Sequence, residues 1–192
     1  MWKASGLTPT SAVGIGTFSS TGKFDVEGNV MSLVGGDNFA ETTTMSNYQF
    51  MLLFNHCTNL VSAKHLILPA ITLAQNCYNS MFYGCTSLTT APELPATTLA
   101  NSCYYGMFLY CTGLITAPEL PATTLANNCY QAMFNSCTSL TTAPTLPATT
   151  LASSCYNSMF YNCTGLITAP ELPAMTLAAN CYSNMFYGCT NL

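Results

Sequence analysis

A spacing of 26 residues constrains this chain more than any other feature. Cys77, Cys103, Cys129, Cys155 and Cys181 stand 26 apart, as do Cys85, Cys111, Cys137, Cys163 and Cys189, and again Pro69, Pro95, Pro121, Pro147 and Pro173. One full unit, residues 103–128, reads CYYGMFLYCTGLITAPELPATTLANN. An irregular unit around Phe54, Asn55, His56 and Cys57 precedes the array, with two extra residues before Pro69. A unit this short cannot bury its apolar face alone, so successive units must stack. A second alternation lies over the first: Ser87, Gly113, Ser139 and Gly165 accompany Thr89, Ile115, Thr141 and Ile167, as though a two-unit block had been duplicated.

The opening third of each unit has the pattern of a short helix. At about 100° per residue, with Cys103 at zero, Met107 falls near 40°, Cys111 near 80°, Tyr104 near 100° and Phe108 near 140°. The positions that vary between units, among them Tyr105, Gly106, Leu109 and Tyr110, fall on the opposite arc. Before each such segment stands Asn76, Ser102, Asn128, Ser154 or Asn180, residue types favoured as helix N-caps. The remainder of each unit is extended. Leu88, Thr89, Thr90 and Ala91 suit a strand, but Pro92 removes a ladder donor, which predicts a very short one. Leu94 and Leu99 are expected to point inward, and Pro92 and Pro95 to fix the corner that returns the chain.

Residues 1–50 lie outside the array. Turn residues punctuate 13–34 and predict two or three strands forming a β-rich cap over the first open end. The last unit stops at Leu192 in mid-repeat, which predicts a fragment of a longer array with an uncapped end. The expected architecture is therefore an α/β solenoid of 26-residue units, each with a short strand and a short helix: a cap over 1–50 and the array over 51–192. Strands stack about 4.8 Å apart and helices 8–10 Å, so such an array should curve with its strands on the concave side.

From Met107 to Leu114 the sequence Met-Phe-Leu-Tyr-Cys-Thr-Gly-Leu, followed by Ala117 and by Leu120-Pro121, resembles the BspA-type leucine-rich repeats of bacterial surface proteins. The resemblance spans about 51–192. It departs from the family in unit length and in the second cysteine, Cys103, where an aliphatic residue is usual. What it implies is a leucine-rich-repeat array acting in adhesion or binding, on a cell surface or secreted as part of a longer chain, or on a phage particle.

Composition narrows the function. Charged residues make up only 5% of the chain, against roughly 25% in an ordinary soluble domain. Three Lys and no Arg give no footprint for a phosphate backbone, which excludes nucleic acid as an expected partner. The apolar run at residues 50–54 is far short of the roughly 18 residues of a membrane span, so no membrane insertion is expected.

Few residues invite chemistry. On a helix, Cys103 and Cys111 would lie roughly 12 Å apart, and packed helices would hold equivalent cysteines at 8–10 Å. Free, buried thiols are the expectation, with no metal site and no cofactor. Cys57 beside His56 could form a nucleophile and base, and His65 is the other histidine, but Cys57 holds the structural position of the repeat cysteines. Glu93, Glu119 and Glu171 share one repeat position, interrupted by Thr145; stacked carboxylates could attract a cation, though a solvated edge is the simpler reading. Asn162-Cys163-Thr164 matches a glycosylation acceptor only in a eukaryotic secretory setting. The outward residues Tyr83, Tyr105, Tyr110, Asn135, Tyr161, Asn162 and Tyr187 combine rigid aromatic area with adaptable polar groups, as binding surfaces do. The expected function is a non-enzymatic module that binds a host or bacterial surface protein or a glycan, with self-association through the uncapped C-terminal end. The alternative is a structural spacer arm, which the near-identity of the units favours.

Overall fold

The computed structural model describes residue 18 and residues 20–192. Repeated units stack with their aromatic residues in columns at the 26-residue spacing, and regular strands and helices are few. Among the described residues there is no α-helix. The segments expected to be helical are ribbons of consecutive tight turns, and their hydrogen bonds show why.

Alternate N–H groups close turns within the unit: Asn79 donates to the Asn76 carbonyl at 3.2 Å, Met81 to Tyr78 at 3.2 Å and Tyr83 to Ser80 at 3.1 Å. The N–H groups between them cross to the next unit, Tyr78 to the Cys103 carbonyl at 3.0 Å, Ser80 to Tyr105 at 2.8 Å and Phe82 to Met107 at 2.9 Å. A helix would consume all of these groups locally, each bonded four residues back. The ribbon spends half of them on its neighbour. Every fourth residue pays with a left-handed backbone: Asn76, Ser80 and Gly84 have φ of 54°, 53° and 69°. Of the fifteen equivalent positions from Asn76 to Gly188, five are Asn, five Ser and three Gly. Gly and Asn are the residues that visit this region most readily, and Ser recurs in turns. Asn76, Ser102, Asn128, Ser154 and Asn180 are thus left-handed turn residues and not the expected N-caps.

Two inward residues followed by two outward ones repeat along each ribbon. Cys77, Tyr78, Met81, Phe82 and Cys85 are buried, as are their counterparts in the next three units. Phe54, Phe82, Phe108, Phe134, Phe160 and Phe186 form one column, with ring centroids 5.3–5.7 Å apart. Phe50 and Tyr78, Tyr104, Tyr130, Tyr156 and Tyr182 form another at 5.7–5.9 Å. Offset stacks in this range contribute about 0.5–1.5 kcal/mol per pair beyond the area they bury. A step of this size is close to the spacing of strands and well below that of helices. The mismatch expected to curve the array is therefore much reduced.

The strands are as short as the prolines require. Thr90, Thr116, Thr142 and Thr168 form single parallel bridges in series, and Ser62 starts the column. Ser62 belongs to β2 (Leu60–Ile67), which pairs in parallel with β1 (Phe24–Asn29). Within 18–50, β1 is the single strand among the described residues, followed by 3₁₀ turns at Val30–Leu33 and Gly36–Glu41. Of the two or three strands expected over 13–34, β1 lies among the described residues, and the part of that expectation before residue 18 lies outside them. Phe18 completes this end: its ring stacks on Phe54 at 5.1 Å and its N–H reaches the Leu53 carbonyl at 3.4 Å. It occupies the place of a phenylalanine from a preceding unit.

The alternation of Gly and Ser has a steric origin. A Cβ on Gly113 would lie 2.7 Å from the Thr86 carbonyl oxygen, and one on Gly165 would lie 2.5 Å from that of Thr138. Ile115 and Ile167, two residues on, donate to the Thr89 and Thr141 carbonyls at 3.4 and 3.2 Å. On another stretch of the coil, Thr72 bridges Thr98 and Thr124 bridges Thr150. Close approach thus passes from one part of the coil to another between successive pairs of units.

Candidate functional site

The ribbon sends its second pair of residues outward, and the candidate binding residues follow from that. Tyr83, Asn135, Tyr161 and Tyr187 share one column, Tyr110 and Asn162 stand one residue further along, and Tyr105 belongs to a separate column. The structure brings some of them together. Tyr83 meets Tyr110 edge-on at 5.6 Å, and Tyr161 stacks on Tyr187 at 5.0 Å. Tyr110, Asn162 and Tyr187 are exposed, while Tyr83, Tyr105, Asn135 and Tyr161 are half-buried. Asn135 accepts a hydrogen bond from the Ser136 hydroxyl at 2.8 Å and separates the two aromatic pairs. No ring contact places Tyr105 with the others.

The cysteines are all free, and ten of the eleven are buried. The distances argued from helices do not apply, since the units advance by little more than 5 Å at the ring columns. What keeps the thiols apart is register. Equivalent cysteines on parallel, in-step ribbons project side by side, whereas a disulfide needs Cβ atoms that converge to about 3.8 Å. One column also has its own partners: Cys111 donates to the Phe82 carbonyl at 3.0 Å, Cys137 to Phe108 at 3.1 Å and Cys163 to Phe134 at 2.9 Å. Burial pushes the Cys77, Cys129 and Cys163 thiols up to about 12, against an ordinary value near 9.0. Such thiols are poor nucleophiles and poor metal ligands at neutral pH.

Cys57 and His56 are not assembled as a dyad. The Cys57 thiol points inward, donating to the Phe18 carbonyl at 2.7 Å, and burial raises it to about 11. His56 is exposed and packs edge-on against Tyr83 at 4.9 Å. Among the described residues no three His, Cys, Asp or Glu side chains converge as a metal site would need, and no helix is long and apolar enough to cross a membrane. The buried hydroxyls of Tyr78, Tyr104, Tyr130 and Tyr182 have no hydrogen-bond partner, an arrangement that costs about 1–3 kcal/mol per group.

A feature that the residue patterns did not single out is a groove along the Ala-Pro-Glu-Leu-Pro segments. Its largest section, about 570 Å³, is lined by Lys64, His65, Thr90, Pro92, Glu93 and Leu94 and continues over the equivalent residues of the next unit, including Glu119. A further section, about 280 Å³, lies between Pro144 and Pro170. Two prolines in four residues are the signal that could have located it. They remove donors, so the backbone of 91–96 makes no bond to the neighbouring unit and the coils part there. The expected glutamate ladder lies on this groove, with exposed carboxylates at Glu93, Glu119 and Glu171. Glu119 accepts from the Thr145 hydroxyl at 2.7 Å.

Comparison with protein-family models, with curated proteins and with solved structures returns no match to this chain.

Proposed function

We propose that the chain is a non-enzymatic binding module, a leucine-rich-repeat solenoid of the BspA type that offers its tyrosine face to a protein or a glycan. The observation that carries this reading is the pairing of outward tyrosines, Tyr83 with Tyr110 and Tyr161 with Tyr187, on ribbons bonded unit to unit. Aromatic area already ordered before contact costs little further entropy on binding, which is how a surface with few charges gains affinity. The high thiol values and the separation of Cys57 from His56 support a binding role over hydrolysis. The proposed setting is a cell surface or a phage particle, as part of a larger assembly.

Arrays of glycans and surface proteins test the reading. Reproducible binding by the chain, lost in a Tyr161→Ala/Tyr187→Ala variant that keeps its fold, supports it. Silence across both arrays favours the spacer arm, a reading to which the near-identical aromatic columns lend weight.

A further inference from the structure

We propose that the proline-walled groove is a docking site for an extended basic peptide carrying Lys or Arg at alternate positions. The groove shares no residue with the tyrosine face, so this inference stands apart from the function proposed above. Three features of the groove select its occupant.

The walls and floor are apolar and rigid. Pro92, Pro95, Pro118 and Pro121 supply rings of fixed conformation, and the buried Leu94 lies among the lining residues. Beside these walls the backbone has unmet capacity. The N–H groups of Glu93 and Leu94, and those of Glu119 and Leu120 one unit on, have no partner among the described residues. Unpaired backbone donors beside a groove suit an occupant that brings its own carbonyls, as extended peptides do.

Charge then sets the sequence preference. Glu93 and Glu119 are exposed, lie on the groove and repeat at the step of one unit, which is 5.4–5.7 Å at the stacked rings and wider where the coils part along the groove. In an extended peptide, residues i and i+2 share a face and lie about 6.6 Å apart. Cations at alternate positions therefore meet successive carboxylates, whereas adjacent cations would point to opposite sides. At the end nearest the first unit, the Lys64 ammonium reverses the sign, so the peptide residue there is neutral or acidic. The section at about 570 Å³ accommodates a segment of a few residues.

Fluorescence anisotropy on the full chain tests this with labelled Ser-Lys-Ser-Lys-Ser, its isomer Lys-Lys-Ser-Ser-Ser and, as a glycan arm, labelled chitopentaose. The alternating peptide is expected to bind more tightly than its isomer. Its affinity should fall roughly fivefold or more in Glu93→Gln/Glu119→Gln and remain unchanged in Tyr161→Ala/Tyr187→Ala. Both glutamates are exposed and outside the core, so circular dichroism and the unfolding midpoint should show an unaltered fold. Equal binding of the two peptides, indifference to the glutamate substitutions, or preference for chitopentaose in this groove would each overturn the proposal.

Discussion

Ala132 sits buried at φ 55°, where the equivalent residues are Ser80, Gly106, Ser158 and Asn184. A Cβ in the left-handed region costs roughly 1 kcal/mol, which glycine avoids. Ala132→Gly is accordingly expected to stabilise the protein by about 0.5–1 kcal/mol, measured as a rise in the urea midpoint at constant slope. A helical ribbon would respond with the opposite sign, losing about 1 kcal/mol, because glycine is the poorer helix former. One substitution thus separates two structures that bury the same residues. The same reasoning explains why the inward set could be identified while the backbone was not. Residues at i, i+1, i+4, i+5 and i+8 fall on one arc whether the chain turns by about 100° per residue or repeats every four, and over eight steps the two drift apart by only about 80°. Asn, Ser and Gly recurring at every fourth residue, the second of each outward pair, were the signal that distinguishes them.

At the scale of the ribbon, the thiols couple fold to pH. In the folded state burial holds Cys77, Cys129 and Cys163 near 12, while an unfolded chain returns them to about 9.0. Below pH 9 both states keep these protons and the contribution to stability is complete. As pH rises from about 9 towards 12, the unfolded chain releases protons that the folded chain retains, so stability falls by up to about 1.4 kcal/mol per pH unit for each such thiol. Urea unfolding between pH 7 and 10.5 should show this decline, and Cys129→Ala should make it shallower. Across the same range a thiol reagent should label the native protein slowly, with Cys189, the one cysteine that is not fully buried, the first to react. Rapid labelling of the interior cysteines would show that the column is not closed.

At the scale of the whole molecule, the inter-unit bonds of the ribbons all run one way. Each linking peptide points its C=O towards the preceding unit and its N–H towards the next, as Cys77 and Tyr78 do between Phe50 and Cys103. Because close approach alternates between successive pairs of units, a unit with Gly at the position of Gly113 must follow one with Ser there, and a block of two units is the interchangeable piece, provided that odd and even residues keep their roles. Deleting residues 103–154, two full periods, puts Gly165 in the place of Gly113 and should therefore leave a folded, shorter array with a lower unfolding midpoint, as nearest-neighbour stacking predicts. Deleting 103–153 shifts every later residue by one and exchanges the donors to the next unit with the turn-closing donors. That chain should lose cooperative unfolding, which a thermal melt followed by near-ultraviolet circular dichroism would detect.

Periodicity, burial and the shortness of the strands were legible in the sequence because they depend on residue type and spacing alone: a 26-residue repeat must stack, an apolar pair every four residues must face inward, and proline must end a ladder. The turn ribbon was decided by tertiary structure. Half of its backbone groups bond to the neighbouring unit, and no property of an isolated segment shows that a partner will stand there to receive them. The groove was decided in the same way: prolines remove the local bonds, but only the stacking of successive units turns that loss into a walled cleft with carboxylates along it. The pairing of Tyr83 with Tyr110 likewise required the step between units, because the two residues lie 27 apart in sequence and meet only once the coils are stacked.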